Sequence, residues 1–395
     1  MLCPRERREV RVARPFRHAR QFDEPATARH LRVRISGLAE ALRYHGRGEE
    51  RRACPSEREH LQGSRARARE SLGCISECTN IMTTTPRAGV IIATRDRPEA
   101  LRSALEAAHR ALGVTHVEYI VVDQSEDEAS HDICSRFPNV QYVRSTSVGI
   151  AHNRNLGAER TRSEWVLFLD DDAVLSEHFG HELERVLVRA ERLSLVAPLY
   201  LDPIGMPLAQ VAPDRAVRLG ASHVWCVIGI CLLVRRADLF RLGGFDERLG
   251  VGRRWGSSEE TDLVLRFIEE GRGCIVEPSL VVMHPRAAER GRGSRRRAFR
   301  YGLGTGALVR LHALRSDDPA WRREARSFML HPLWEIVHGP ARRRTTLRVA
   351  ELFGRWLGLL FGPNPPQTGG RIAHSVACIR ALAKAKVRPM GSGHG

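Results

Sequence analysis

The chain has 395 residues and is 42 % hydrophobic, enough to bury the core of one large domain or two ordinary ones. Its formal charge of +17 would ordinarily raise nucleic acid as a partner. However, every basic residue except Lys384 and Lys386 is arginine, a bias that a GC-rich coding sequence produces without selection for a basic surface, so nucleic acid is not expected. The nine cysteines show no metal spacing, no run approaches the ~20 apolar residues of a membrane span, and the start lacks the apolar segment of a secretory signal; a reducing, cytoplasmic setting is expected.

Residues 1–82 carry RERREVRVARPFRHAR and SRARARE, repeated arginines with little periodicity, which is the composition of a disordered extension. Glu6, Glu9, Asp23 and Glu24 count against a mitochondrial targeting peptide. Met82 directly precedes the first ordered pattern, so a compact domain is expected over 83–310 and no chemistry is assigned upstream of it. AGVIIAT (88–94) is the continuous apolar run of a buried parallel strand, and Asp96 and Pro98 then open a helix with Leu101, Ala104, Leu105, Ala108 and Leu112 on one face. VEYIVVD (117–123) predicts a second buried strand, VQYVRS a third and WVLFLDD a fourth, with helical pieces between them. This alternation predicts an α/β fold with a parallel, doubly wound sheet, whose ligands sit outside the carboxyl ends of the strands. Thr94 and Arg95, Asp123, and Asp170 to Asp172 fall along that edge.

Further on, CLLVRRADLFRLGGFDERLG predicts a strand, an amphipathic turn and a glycine-rich loop. WGSSEETDLVLRFIEEG predicts a helix with Leu263, Val264, Phe267 and Ile268 inward, closed by Gly271, and GCIVEPSLVVMH predicts two short strand pieces around Pro278. Residues 311–395 are expected to be a helical C-terminal region, most apolar over RVAELFGRWLGLLFG (348–362).

Three adjacent carboxylates at the end of a buried strand repel one another unless water, a helix cap or a cation relieves them. One reading makes them a solvated loop in which an aspartate caps a helix beginning near Ser176. The other is a hard divalent cation, Mg²⁺ or Mn²⁺, which prefers carboxylate oxygens and completes its shell with substrate phosphates. Alternation along the strand points Asp170 and Asp172 to one side and Asp171 to the other, a DxD pair plus a spare.

Taken in order, VIIATRDRPEAL, VEYIVVDQS, VGIAHNRNLGAERTRSEWVLFLDDDA, GGFDERLG, WGSSEETDLVLR and a strand ending in His284 resemble the motifs of family 2 glycosyltransferases with the GT-A fold, over roughly residues 88–310. The resemblance implies a Rossmann-like, mostly parallel sheet flanked by helices. By it, Thr94, Arg95 and Asp123 hold the base and ribose of a nucleotide-sugar donor, and Arg154 and Asn155 lie near its nucleotide and pyrophosphate. Asp170 approaches the ribose or a metal-bound water, Asp172 binds the metal, and His284 adds a further ligand. Each has a structural alternative: strand-end capping for the first three, a helix start for Arg154 and Asn155, and a packing role for His284.

By the same resemblance Glu259 and Glu260 occupy the family's acidic pair, with Glu260 favoured over Glu259 as the base that deprotonates the acceptor hydroxyl; Glu260 stands where many relatives have Asp. The alternative is that Ser257 and Glu260 form a capping box, and Asp262 is expected to anchor the helix start or nearby arginines. Trp255 either stacks on an acceptor sugar or packs in the core. Residues 285–307 read as a mobile loop able to close on the diphosphate or as a plain solvated loop, and 342–361 as a core helix or an interfacial helix on anionic membrane.

The resulting expectation is a metal-dependent, inverting glycosyltransferase of polysaccharide or glycolipid assembly. It would use a UDP-sugar on the family's habit and a saccharide or lipid-linked acceptor, in the cytoplasm or at the inner face of the cell membrane. The competing readings are a nucleotidyltransferase of similar fold, for which ATRDRPEA lacks a glycine-rich pyrophosphate loop, and a non-catalytic sugar-nucleotide-binding protein.

Overall fold

The computed structural model describes residues 87–365 apart from 115, 210–211, 286–293, 314–315, 317 and 339–341, and gives the backbone but not the side chains of 338 and 342–344. The expectations for residues 1–82 and for 366–395 lie outside the described residues.

The apolar runs form strands where their patterns place them. In chain order the strands are β1 (Ala88–Thr94), β2 (Val117–Asp123), β3 (Val140–Arg144), β4 (Trp165–Asp170), β5 (Val174–Leu175), β6 (Leu193–Leu201), β7 (Val217–Arg218), β8 (Cys231–Arg235) and β9 (Gly273–Met283). The helices are α1 (Pro98–Leu112), α2 (Ala129–Cys134), α3 (Ile150–Arg160), α4 (Phe179–Val188), α5 (Arg236–Arg241), α6 (Glu259–Glu269), α7 (Arg295–Ala313), α8 (Pro319–His338) and α9 (Arg342–Phe361).

One sheet runs in the order β3-β2-β1-β4-β8-β6-β9-β5, with β7 paired to β9. It is mixed: β3 through β4 are parallel and so are β6 and β9, but β8 is antiparallel to both β4 and β6. A parallel return needs a long crossover, usually a helix, and among the described residues no α-helix lies between β6 and β8. Strand β9 is a single strand and not the two pieces expected; Pro278 is accommodated by a register shift opposite Pro198 and Leu199.

Apolar side chains leave both faces of the sheet. One core joins Leu101, Leu105, Phe179 and Leu183 of α1 and α4 to the strands; the other joins Ala151, Ala158, Leu263 and Phe267 of α3 and α6. Gly157 lets α3 lie against the sheet, because a Cβ there would overlap Ile91. Leu308, Trp321, Ala325, Met329 and Leu359 belong to that second core, and α7 runs through residue 310, so the described C-terminal helices share the core of the sheet.

The stretch expected as a glycine-rich loop is helical from Arg295 onward, while residues 286–293 lie outside the described residues. Its glycines serve packing. A Cβ at Gly302 or Gly306 would collide with Glu351 O or Arg355 O of α9, and one at Gly354 or Gly358 would collide with Phe299 O or Leu303 O of α7. The two helices therefore touch backbone to backbone. Pro332 inside α8 has no N–H to donate to Phe328 O, and the buried Arg355 of α9 donates to that carbonyl instead.

Candidate active site

Register fixes the floor of the site. Thr94 lies beside Asp123, and Ala93 beside Asp170, so the carboxyl ends of β1, β2 and β4 are level. Asp123 is fully buried and accepts hydrogen bonds from Ser125 N (2.9 Å), Ser125 Oγ (2.6 Å) and Tyr142 Oη (2.9 Å). Thr94 is also buried and donates to Asp171 Oδ2 at 2.8 Å. Arg95 is exposed beside Asp96 and lines the cavity described below.

The three aspartates end β4 and divide their partners. Asp170 accepts from Arg154 Nη2 at 2.8 Å. Asp171 takes Thr94 on one oxygen and Arg97 Nη1 on the other at 2.5 Å, so it is an anchored residue and not the spare expected from alternation. Asp172 meets the second arm of Arg97 through Oδ2 and faces His284 Nε2 at 3.0 Å through Oδ1. Burial pushes Asp171 up to about 7, against the pull of Arg97 and Thr94, and burial likewise raises Asp170 despite Arg154. None of the three caps a helix, since α4 begins after His178 with no side-chain cap.

One ligand atom each from Asp170, Asp172 and His284 lies within 4.8 Å of the others. Two carboxylate oxygens and an imidazole nitrogen suit a borderline-hard divalent ion such as Mn²⁺, with positions left over for phosphate oxygens and water. The donor set therefore fits the cation that the DxD pattern implies.

The acidic pair opens α6 and is joined to Asp170 through Arg154. Ser258 precedes the helix in a left-handed conformation (φ 74°) and makes no side-chain cap. Ser257 Oγ donates to Tyr301 O, so the capping box does not form. Glu259 is buried and accepts from Arg154 Nη1 at 3.2 Å. Glu260 is half-buried, lines the cavity and forms no ion pair among the described residues. Burial and the adjacent Glu259 charge push Glu260 up to about 8. Arg154, itself buried, thus spans the two acidic groups and also donates to Gly229 O. Asp262 anchors as expected: it holds Arg266 at 2.8 Å and the buried His312 at 3.0 Å, tying α6 to α7.

A single open cavity of about 1220 Å³ collects Thr94, Arg95, Arg97, Arg154, Asp170, Asp171, Glu259, Glu260 and His284. Four expected residues do not line it: Asp172, Asn155, Trp255 and Asp123. Asn155 is pinned to the backbone of Phe245, donating to its carbonyl at 3.0 Å and accepting from its N–H at 2.8 Å. Trp255 packs with Leu249, Ala307 and Leu311, so the packing alternative describes it and acceptor stacking does not. Asp123 is enclosed by its own partners and does not line the cavity. Arg97 and His312 were missed. Arg97 sits in the same TRDRP motif that flagged Thr94 and Arg95, whereas His312 carries no local signal.

The mixed sheet, the level strand ends and the acidic groups facing one cavity define a GT-A-like α/β fold. The structure is similar to that of the mannosyltransferase PcManGT from Pyrobaculum calidifontis, solved in complex with GDP-Man and Mn²⁺ (TM-score 0.52, 17 % identity, covering 84 % of this chain and 96 % of that one). In sequence it is similar to an uncharacterised glycosyltransferase of Haemophilus influenzae, 20 % identical over 187 residues, which is 46 % of this chain and 62 % of that protein's length. Residues 89–198 match Glycosyl transferase family 2.

Proposed function

We propose that the chain is a metal-dependent, inverting glycosyltransferase that moves a sugar from a nucleotide-sugar donor to a hydroxyl of a saccharide or lipid-linked acceptor. The observation that carries this reading is a cation-capable Asp170, Asp172 and His284 cluster, two of whose members line the same cavity as an upward-shifted Glu260. Those three residues would hold Mn²⁺ or Mg²⁺, and the ion, when bound, supplies positive charge for the leaving diphosphate. Glu260 takes the proton of the acceptor hydroxyl as that oxygen bonds to the anomeric carbon. The bond from that carbon to the diphosphate oxygen breaks on the opposite face, so one displacement inverts the configuration. Arg154 keeps counter-charge between the two acidic groups, and Glu259 is its partner on the acceptor side.

Arg95, at the cavity edge, is placed for donor contact; Thr94 acts through Asp171. A UDP-sugar remains the favoured donor on the family's habit, with GDP-mannose next because PcManGT was solved with it. No helix among the described residues is long and apolar enough to cross a membrane. Leu330, Leu333, Trp334 and Val337 of α8 and Val349 and Phe353 of α9 are exposed, which supports peripheral contact with a bilayer carrying the acceptor.

A thermal-shift panel of UDP, GDP, TDP and CMP sugars, each with and without Mn²⁺, tests the reading. Stabilisation by one nucleotide that needs Mn²⁺ and disappears in Asp172→Ala is expected. A folded protein indifferent to every nucleotide would sink it.

A further inference from the structure

We propose that Arg97 is a positioning residue that orients Asp172 toward the divalent cation by gripping the carboxylate triplet from the loop between β1 and α1; the inference rests on the metal-dependent reading above. Arg97 immediately precedes Pro98, the first residue of α1, so its backbone is held where a rigid helix begins. One arm of its guanidinium takes Asp171 Oδ1 at 2.5 Å and the other takes Asp172 Oδ2. Thr94, three residues earlier at the end of β1, holds the remaining oxygen of Asp171 at 2.8 Å. The same loop therefore fixes both oxygens of Asp171 and one oxygen of Asp172.

The consequence falls on Asp172. With Oδ2 committed to the guanidinium, its carboxylate cannot rotate freely, and Oδ1 is the oxygen that faces His284 Nε2 at 3.0 Å, on the side shared with Asp170. Outer partners that fix a ligand's orientation change metal affinity by about 10- to 100-fold when removed. A positive charge near a cation also repels it, and the two effects have opposite signs. Orientation should win here, because Asp171 and Asp172 both face Arg97 and the Arg97 side chain is 26 % exposed, so water screens what charge remains. The grip depends on shape: a planar fork reaches two adjacent carboxylates at once, whereas a lysine ammonium presents a single point.

Lysine substitution therefore separates orientation from charge. Mn²⁺ binding to the full chain is followed by loss of the free-ion electron paramagnetic resonance signal for wild type, R97K and R97Q, with circular dichroism verifying the fold of each. Both variants are expected to bind Mn²⁺ about tenfold or more weakly than wild type. Tighter binding by R97Q with R97K unchanged would show that Arg97 acts as charge alone and would overturn the proposal, as would wild-type affinity in both. If R97Q does not fold, R97K decides, since it keeps the charge and loses only the fork. Wild type that binds no Mn²⁺ would instead remove the metal-dependent reading itself.

Discussion

Two acidic groups face the same cavity and are managed in opposite ways. At the end of β4, each of three carboxylates has a basic partner: Arg154 on Asp170, Arg97 on Asp171, and Arg97 with His284 on Asp172. At the start of α6, Arg154 serves Glu259, and Glu260 forms no ion pair among the described residues. The difference separates their chemistry. Partnered carboxylates keep fixed orientations and can share a cation, while a carboxylate left beside another negative charge in a half-buried wall holds its proton to higher pH and becomes a usable base.

The contrast predicts distinct failures. Glu260→Gln is expected to lower sugar transfer by about 10²- to 10⁴-fold while thermal stabilisation by donor and Mn²⁺ persists. Loss of donor binding instead would move Glu260 to the donor side. Asp172→Ala should cost on the order of 10²- to 10³-fold in transfer and, unlike the Glu260 variant, should abolish Mn²⁺-dependent stabilisation by the nucleotide. Arg154→Met strikes both groups at once, leaving the half-buried Asp170 and the buried Glu259 without their shared counter-charge. Urea unfolding should report a loss of about 3–5 kcal/mol, and a loss below 1 kcal/mol, roughly a surface ion pair's worth, would mean that the strut is dispensable. The smallest effect should lie outside both clusters: Gly306→Ala forces α7 and α9 apart and should cost about 1–3 kcal/mol with the pH dependence of transfer unchanged.

The first half of the sheet was legible because its strands are buried on both faces and read as continuous apolar runs. AGVIIAT and VEYIVVD became β1 and β2 at the residues expected. The mixed half was harder to read: the direction of β8 depends on a connection without a helix, and Pro278 reads as a break although a register shift absorbs it. The glycines of α7 read as loop because helix propensity penalises them, and what reverses that penalty is the backbone of α9 some fifty residues later. Within the site, sequence order brought Asp170, His284 and Glu260 to one cavity and Asp172 into the cluster beside it, but it could not show that Arg97 and Arg154 answer the repulsion among the aspartates. Those pairings join residues far apart in the chain. Asn155 and Trp255 went astray for the same reason: their partners, Phe245 and the α7 residues Ala307 and Leu311, are set by tertiary packing.

The proposed chemistry turns on Glu260 being the base. Its upward shift favours the neutral acid in the fold, so folded stability should fall as pH rises from the ordinary 4.5 toward about 8, and Glu260→Gln should be at least as stable as wild type above that range. Catalysis should move the opposite way. The direct measurement is the rate of nucleoside diphosphate release at saturating donor and Mn²⁺, across pH values on both sides of 8, for wild type and Glu260→Gln. The wild-type rate is expected to climb about tenfold per pH unit and level near 8, and the Glu260→Gln residual rate to lack that inflection. A wild-type profile flat through that range, or the same inflection surviving in Glu260→Gln, would contradict Glu260 as the base.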